Sequence, residues 1–549
     1  MKSFLINTAI ILAGALLFAA SFPNPILNYG LPLLAWFAYI PVFYVIRRTG
    51  GPHSASKLSA GKSLSDRKFS GMAECALWGA LYGYTSYTFL APWLGSFHPL
   101  AGTFASLIQL AYMALLFSLL KLAWIFYPRK GYLLQWLLWL SYEYLRTLGF
   151  LGFPFGITGY TQWQYPAILG IASVFGVWGV SALVLFPSAY LGTALAETRA
   201  FFHRERLAAV VWLGALAGAV IFGAAQAGYI ENESKTGKSV KIALIQQNAD
   251  PWKNDTPGDH RRILTTQIYL SQKALAEEPD TELVVWPETA FVPRIYWHLT
   301  YRDNPESYEV VKELMDFLAD QKTPFLIGND DARLEVNNAG RWDRCDYNAA
   351  ILFEEGELKT VYRKMHLVPF AEHFPYEQTF PRLYKALVKA DTHFWKPGKD
   401  PVVFNSGSLK FSSPICFEDC FGPISRDFTR RGAEFIVNIT NDSWAGSLSC
   451  QIQHLAMAVF RAVENRRSLV RAASSGQTCA ISPSGKILAM APPFAEAALT
   501  VEIPLSSINT PYTFWGDLWG VLFSVSSAML LLAGSLRFIL KVFKTRRKP

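Results

Sequence analysis

Apolar positions along this chain follow two different patterns. Long uncharged stretches occupy residues 4–20, 31–46, 76–91, 103–120, 132–142, 167–196, 207–230 and 518–536. A bilayer core of about 30 Å is crossed by roughly 20 apolar residues in helical form. Most of these stretches come near that length, and 31–46 and 132–142 need flanking residues to span. Between Glu231 and Tyr512 there is no such stretch, and short apolar runs alternate with charged segments. The pattern predicts a helical membrane domain over 1–230 with seven transmembrane helices. A soluble domain over 231–512 follows, and an eighth span with a basic tail over 513–549 closes the chain.

Within the soluble segment, "VKIALIQQN" (240–248) reads as a buried first strand, followed by helix-compatible residues to about Glu278. "ELVVWPET" (282–289) predicts a second strand and "PFLIGND" (324–330) a third. Residues 347–364 predict a hairpin turning at Glu355-Gly356. "FSSPICFE" (411–418) predicts another strand, with a helix over 422–432. "EFIVNITND" (434–442) is the next strand, a helix lies near 451–466, and 468–490 supply a last pair of strands. Strands alternating with helices predict an α/β domain with buried sheets. No internal repeat is visible.

Loop charge sets orientation, because cytoplasmic loops carry an excess of Lys and Arg. The loop after the second stretch holds Arg47, Arg48, Lys57, Lys62, Arg67 and Lys68, that after the fourth Arg129 and Lys130, and that after the sixth Arg199, Arg204 and Arg206. The tail ends "KVFKTRRKP". By contrast, "SFPNPILNYG" and "LGSFHPLAG" hold neither residue type. Eight spans with both termini inside satisfy every loop and place the soluble segment outside the cytoplasm. The net charge of +9 largely reflects these loops, which argues against a nucleic-acid partner. "MKSFLINTAIILAGALLFAAS" has the charged start, apolar centre and small-residue end of a signal peptide. Cleavage would leave seven spans and the same topology; retention is the expectation. Residues 50–70, rich in Gly, Ser and Lys, read as a solvated connection.

Three polar residues stand at the ends of apolar runs: Glu288 closes "LVVWPE", Lys364 closes "TVYRK" and Cys416 closes "SSPIC". Each is placed to project from a sheet edge into a shared cleft. A cysteine attacks as its thiolate and needs a base. A carboxylate serves if burial raises its pKa, and an ammonium group stabilises a developing oxyanion. Together the three make an acyl-transfer site. Singly, Glu288 or Lys364 is a solvated strand terminus and Cys416 a core cysteine. Strand-end placement also predicts that Glu288 and Lys364 can be replaced without disturbing the core.

"WPET", "YRKMHLVPFAEHFPY", "PICFED" and "ITNDSWAG" closely resemble the nitrilase superfamily. Within it they resemble the apolipoprotein N-acyltransferase family, membrane enzymes that add the third acyl chain to bacterial lipoproteins. "SYEYLRT" followed by "GFPFGITGYTQ" resembles that family's membrane region, so the resemblance covers nearly the whole chain. It implies seven spans, a periplasmic nitrilase-like domain layered α-β-β-α, and an eighth span, set in a bacterial inner membrane. It also implies Glu288 as general base, Lys364 as oxyanion-stabilising residue and Cys416 as nucleophile. Glu372 matches a second family glutamate that orders the site, Glu418 the acidic residue two places after the nucleophile, and Trp252 a tryptophan implicated in substrate binding. One departure is that the residue after the nucleophile is commonly tyrosine in the family. Here it is Phe417, which lacks the hydroxyl and is expected to contribute packing. The implied reaction moves an acyl chain from a membrane phospholipid, through a cysteine thioester, to the α-amine of the diacylglyceryl-cysteine of apolipoproteins. It needs no metal or nucleotide, and no P-loop or dinucleotide fingerprint is found.

Cys416 and Cys420 are four apart, but no Cys/His set with zinc-like spacing accompanies them. His366 and His373 read as loop residues of the lysine motif. Five of the six cysteines lie in the outer domain, so they cannot all pair there. Glu143 and Arg146, at i and i+3 near the end of the fifth stretch, are costly within a span and read equally as functional or as a structural ion pair. Two rival readings use the same residues. One is a membrane-tethered nitrilase-type amidase acting on a small amide with water, distinguished by amine dependence. The other is a catalytically dead lipid-binding scaffold, which the complete Glu, Lys and Cys set disfavours.

Overall fold

The computed structural model describes residues 2–49, 71–97, 99–197, 199–250, 253, 256–336, 340–389 and 393–546. The 50–70 connection and Trp252 lie outside the described residues. The chain forms two compact units, Met1–Ala224 with Asp517–Pro549, and Ala225–Gly516.

The first unit is helical. Among the described residues five helices are long and apolar enough to cross a membrane: Ser3–Ser21, Ala101–Phe126, Ala172–Glu197, Arg199–Thr236 and Leu518–Lys544. The second apolar stretch is instead a 3-10 turn, Pro32–Trp36, followed by the nine-residue helix Ile40–Arg48. Pro41 lacks the N–H that the interior of a continuous helix through 31–46 would use. The third is the 19-residue helix Met72–Leu90 and the fifth the 15-residue helix Gly131–Leu145. Aromatic side chains fill the core: Tyr39 meets Trp139 edge-on at 4.7 Å, and Tyr82 meets it at 6.1 Å. Gly79 and Gly83 let Met72–Leu90 close on Pro99–Phe126, because a Cβ at either would strike a backbone carbonyl oxygen, of Met113 or Gln109. Small residues four apart are a familiar means of close helix approach.

Among the described residues the second unit contains twelve strands: β1 (Ser239–Gln246), β2 (Leu283–Val285), β3 (Phe325–Val336), β4 (Trp342–Glu354), β5 (Glu357–Arg363), β6 (Val403–Ser406), β7 (Leu409–Ser412), β8 (Phe435–Thr440), β9 (Ser468–Ala473), β10 (Cys479–Ile481), β11 (Ile487–Met490) and β12 (Ala497–Pro504). They form two six-stranded sheets, ordered β12-β1-β2-β3-β4-β5 and β11-β10-β9-β8-β7-β6. In the first, β1, β2 and β3 are parallel, joined through helices Pro257–Glu277 and Pro305–Ala319. In the second, β7, β8 and β9 are parallel, joined through helices Gly422–Arg430 and Leu448–Asn465. The unit is thus two βαβαβ halves, extended at their edges by antiparallel strands.

Alternation along the strands builds the layers, since successive side chains point to opposite faces. Val240, Ile242 and Leu244 of β1 join Phe411, Phe435 and Val437 in the core that includes both sheets. Ala243 and Ile245 join Leu264, Val311 and Leu314 of the helices. The result is the α-β-β-α nitrilase-type sandwich. β12 has no counterpart in the sequence reading: its residues are mostly half-buried, which blurs the alternation, yet it pairs with β1 along its whole length.

The strand expected over 411–418 is shorter than its apolar pattern. β7 ends at Ser412, and Pro414 cannot donate to a ladder. Only Ile415 makes a further bridge, to Ile439. The chain then enters a 3-10 turn, Cys416–Cys420, with Cys416 at φ 50°.

Candidate active site

Glu288 lies just beyond β2, in the centre of its sheet, and Lys364 immediately follows β5. Gly328 in β3 permits the first placement, because the backbone of Pro287 and Glu288 occupies the space of a side chain there. The Lys364 N–H donates to the Asn348 carbonyl at 2.8 Å, so the strand pairing carries the lysine to the site. Its Nζ donates to Glu288 Oε1 at 3.1 Å and to Glu372 Oε1 at 2.8 Å. Asn348 Nδ2 donates to Glu288 Oε1 at 2.7 Å, and the Asn441 N–H to Oε2 at 2.8 Å. Glu372 is fixed in turn by the Val368 N–H at 2.8 Å. Lys364 is fully buried and Glu288 nearly so. The two are therefore interior residues, which corrects the expectation of replaceable strand ends.

Burial disfavours the Lys364 ammonium, but Glu288 and Glu372 outweigh it and hold its pKa well above the usual lysine value. Burial pushes the Glu372 carboxyl up, with Lys364 opposing and Glu288 adding to the rise. Burial also pushes the Cys416 thiol up, and Glu288 adds to this; Lys364 and His454 oppose. Two positive groups therefore favour the thiolate against its own desolvation. Cys416 keeps partial exposure, whereas Cys420, Cys450 and Cys479 are buried, and all six cysteines are free thiols.

Glu418 links the nucleophile turn to the lysine strand. Its Oε1 accepts from Tyr362 Oη at 2.8 Å and from the N–H groups of Met365 and His366 at 2.8 and 3.0 Å. Its Oε2 accepts from Tyr362 Oη at 2.9 Å and the Ile415 N–H at 2.8 Å. Both oxygens are thus committed to holding the backbone on either side of the site. Phe417 is buried and packs against Phe421 edge-on at 4.9 Å and His366 at 5.8 Å. Burial, then Lys364, pushes the His366 pKa down to about 4, so that ring is neutral at physiological pH. His373 is half-buried in the same loop.

Glu143 and Arg146, in the first unit, do not pair with each other. Glu143 Oε1 accepts from the Thr158 N–H at 3.0 Å and from the Thr158 hydroxyl. Arg146 Nη1 donates to the Phe153 carbonyl at 2.9 Å, and its guanidinium lies over Tyr142 and Tyr87 at 5.4 and 5.5 Å. Both side chains anchor the segment after helix Gly131–Leu145.

Several site residues escaped the sequence reading. Asn348, Asn441 and Tyr362 carry no distinctive chemistry alone, although the last two fall inside the quoted motifs. Asp419, Asp442, His454 and Arg471 form a buried ionic cluster behind Cys416. Asp419, Cys420 and His454, and separately Asp330, Asp346 and His393, bring three potential metal-ligating atoms within 4.8 Å of one another. In the first group Arg471 already bonds Asp419, and in the second Arg294 bonds Asp346 at 2.7 Å. The carboxylates of both groups have cationic partners within the protein.

An ammonium between two carboxylates, beside a half-exposed thiol on a strained turn, can activate a nucleophile and neutralise an oxyanion. Residues 241–510 match the carbon-nitrogen hydrolase family, and residues 13–190 the apolipoprotein N-acyltransferase N-terminal domain. Apolipoprotein N-acyltransferase 1 of Treponema pallidum (strain Nichols) is 45% identical over 542 residues, covering 96% of this chain and 95% of the relative. Apolipoprotein N-acyltransferase 1 of Treponema denticola is 42% identical over 544 residues, covering 95% of each. A nitrilase-superfamily structure from Saccharomyces cerevisiae, of branch 10, is 21% identical and covers 49% of this chain and 90% of that chain, with a TM-score of 0.34. From a relative this similar along nearly its full length, and a matching domain at each end, it follows that the chain belongs to the apolipoprotein N-acyltransferase family.

Proposed function

We propose that this acyltransferase moves an acyl chain from a membrane phospholipid, through a thioester on Cys416, to the α-amine of the N-terminal diacylglyceryl-cysteine of apolipoproteins. Glu288 takes the Cys416 proton and the thiolate attacks the ester carbonyl. Lys364 neutralises the tetrahedral oxyanion. The intermediate collapses with loss of lysophospholipid, whose alkoxide takes the proton back from Glu288. The amine then attacks the thioester, loses a proton to Glu288, and the amide forms as the Cys416 thiolate leaves. Glu372 and Glu418 position the lysine and the turn, and Phe417 supplies packing. A thioester suits both halves, storing the acyl group yet yielding readily to an amine.

The observation that carries this reading is the Lys364 ammonium held at 3.1 Å from Glu288 and 2.8 Å from Glu372, with the half-exposed Cys416 in their field. Five apolar helices in the same chain support substrates that are themselves lipids. The loop charges support eight spans with the catalytic domain outside the cytoplasm, and the family resemblance supports an inner membrane and hence a periplasmic domain.

The test offers the purified protein in phospholipid vesicles either water alone or a synthetic diacylglyceryl-cysteine peptide. Acyl transfer to the peptide amine, with little free fatty acid, is expected. Rapid hydrolysis to fatty acid with no gain from the amine would favour an amidase-like hydrolase instead.

A further inference from the structure

Behind the Cys416 turn lies a closed charge cluster that the proposed reaction leaves unused. Asp419 belongs to the turn, Asp442 follows β8, His454 lies on helix Leu448–Asn465 and Arg471 on β9. All four are buried. His454 Nε2 is 2.7 Å from Asp419 Oδ1, and Nδ1 is 3.1 Å from Asp442 Oδ1. Arg471 bonds Asp419 through Nη1 and Asp442 Oδ2 through Nη2, the latter at 3.2 Å. Carboxylates only accept, so each ring nitrogen facing one must donate, and a ring donating through both nitrogens is an imidazolium. The charges agree, since two carboxylates with one guanidinium leave one negative charge that the imidazolium closes. Arg471 Nη2 also lies 3.2 Å from His454 Nδ1, where both share Asp442 as acceptor. The remaining titratable neighbours are the thiols of Cys416, Cys420, Cys450 and Cys479.

The single Nε2–H of His454 is shared between Asp419 and the Cys416 carbonyl oxygen, 3.3 Å away, which Asn438 Nδ2 approaches from β8 at 3.4 Å. A trans peptide is planar, so fixing that carbonyl fixes the Phe417 N–H on the opposite edge. A donor on the carbonyl also strengthens the N–H as a donor, because hydrogen bonds in series polarise one another. Cys416 sits at φ 50°, a conformation that a non-glycine residue keeps only when its surroundings over-determine it. We propose that His454 is a positioning residue that pins and polarises the Cys416–Phe417 peptide, so that the Phe417 N–H joins Lys364 as an oxyanion donor. This rests on the acyl-thioester chemistry proposed above.

The test compares the full-length parent, His454→Gln and Asp442→Asn in detergent, each acylated with phospholipid labelled with 13C at the ester carbonyl. The thioester carbonyl vibration is read together with kcat and KM for phospholipid. Loss of a whole oxyanion donor costs about 10²–10³ in rate; a weakened donor is expected to cost about tenfold to hundredfold in kcat, with KM within about twofold. The carbonyl band of His454→Gln should move to higher frequency, towards that of an unbound thioester. Asp442→Asn should move it the same way by less, and it carries the test if His454→Gln does not fold. A purely structural role would reduce the acylatable fraction but leave the band in place. A parent thioester with an unmoved band in both variants overturns the inference alone. Absence of the parent thioester overturns the acyl-enzyme reading and this inference with it.

Discussion

Lys364 Nζ lies 2.8 Å from Glu372 Oε1, closer than its 3.1 Å to Glu288. The lysine is therefore moored by Glu372, while Glu288, bonded also to Asn348 and Asn441, forms the side of the site proposed to carry the proton. The two glutamates are expected to differ when neutralised.

Glu288→Gln preserves the shape and removes the base, so thioester formation should fall by at least about 10²-fold, the lower end of general-base contributions. Glu372→Gln keeps the base but loosens the ammonium, and a smaller loss is expected. Lys364→Ala leaves the buried Glu288 and the half-buried Glu372 without their cation, and breaking a buried pair typically costs about 3–5 kcal/mol. Single-turnover acylation and thermal unfolding in detergent check these outcomes together. Near-parental acylation in Glu288→Gln would remove that residue from the chemistry.

Stability should decline on the alkaline side because of His454. Burial and Arg471 oppose its charge, but Asp419 and Asp442 hold its pKa well above the ordinary imidazole value. For a raised group, the stabilisation is complete below the unfolded pKa of about 6.5 and is lost as pH rises through the folded pKa. His366, pushed down to about 4, acts in the opposite window, between its folded value and the unfolded one. Melting temperatures measured from pH 6.5 to 9 should therefore fall in the parent and fall less steeply in His454→Gln. Equal slopes would show that His454 does not stay charged.

The proposed periplasmic placement of the catalytic domain rests on loop charge. A reporter active only in the cytoplasm, inserted at the Glu355-Gly356 turn, where Glu355 is exposed, should give no signal, while one active only outside should be bright. A strong cytoplasmic signal would reverse the topology.

Much of the second unit was legible because its physics is local. The βαβ alternation follows from apolar period and length, and the hairpin from Glu355-Gly356, whose φ values of 50° and 75° suit a tight primed turn. Glu288, Lys364 and Cys416 stood out as polar residues closing apolar runs. The structure gathers Glu288, Lys364 and Glu372 into one ion cluster and couples Cys416 to it.

What stayed hidden depends on long-range contact. Glu418 bonds Tyr362 from 56 positions away, and Arg471 reaches Asp419 from 52, so neither pairing leaves a periodic trace. Pro414 and Pro41 mark where hydrophobic pattern and backbone chemistry part: both runs read as continuous, yet each is broken at a residue with no N–H. The two βαβαβ halves share an arrangement without a visible repeat, because burial asks only for apolar side chains at the same spacing.

The central claim is that Cys416 carries the acyl group, and intact-protein mass spectrometry after incubation with phospholipid tests it most directly. The parent should gain the mass of one acyl chain, mapped to Cys416, released by hydroxylamine and discharged onto a diacylglyceryl-cysteine peptide. Cys420→Ala should still acylate, since Cys420 is only 2% exposed, and Cys416→Ala should not. An adduct that persists in Cys416→Ala, or a parent that turns over lipid without any adduct, would contradict the account.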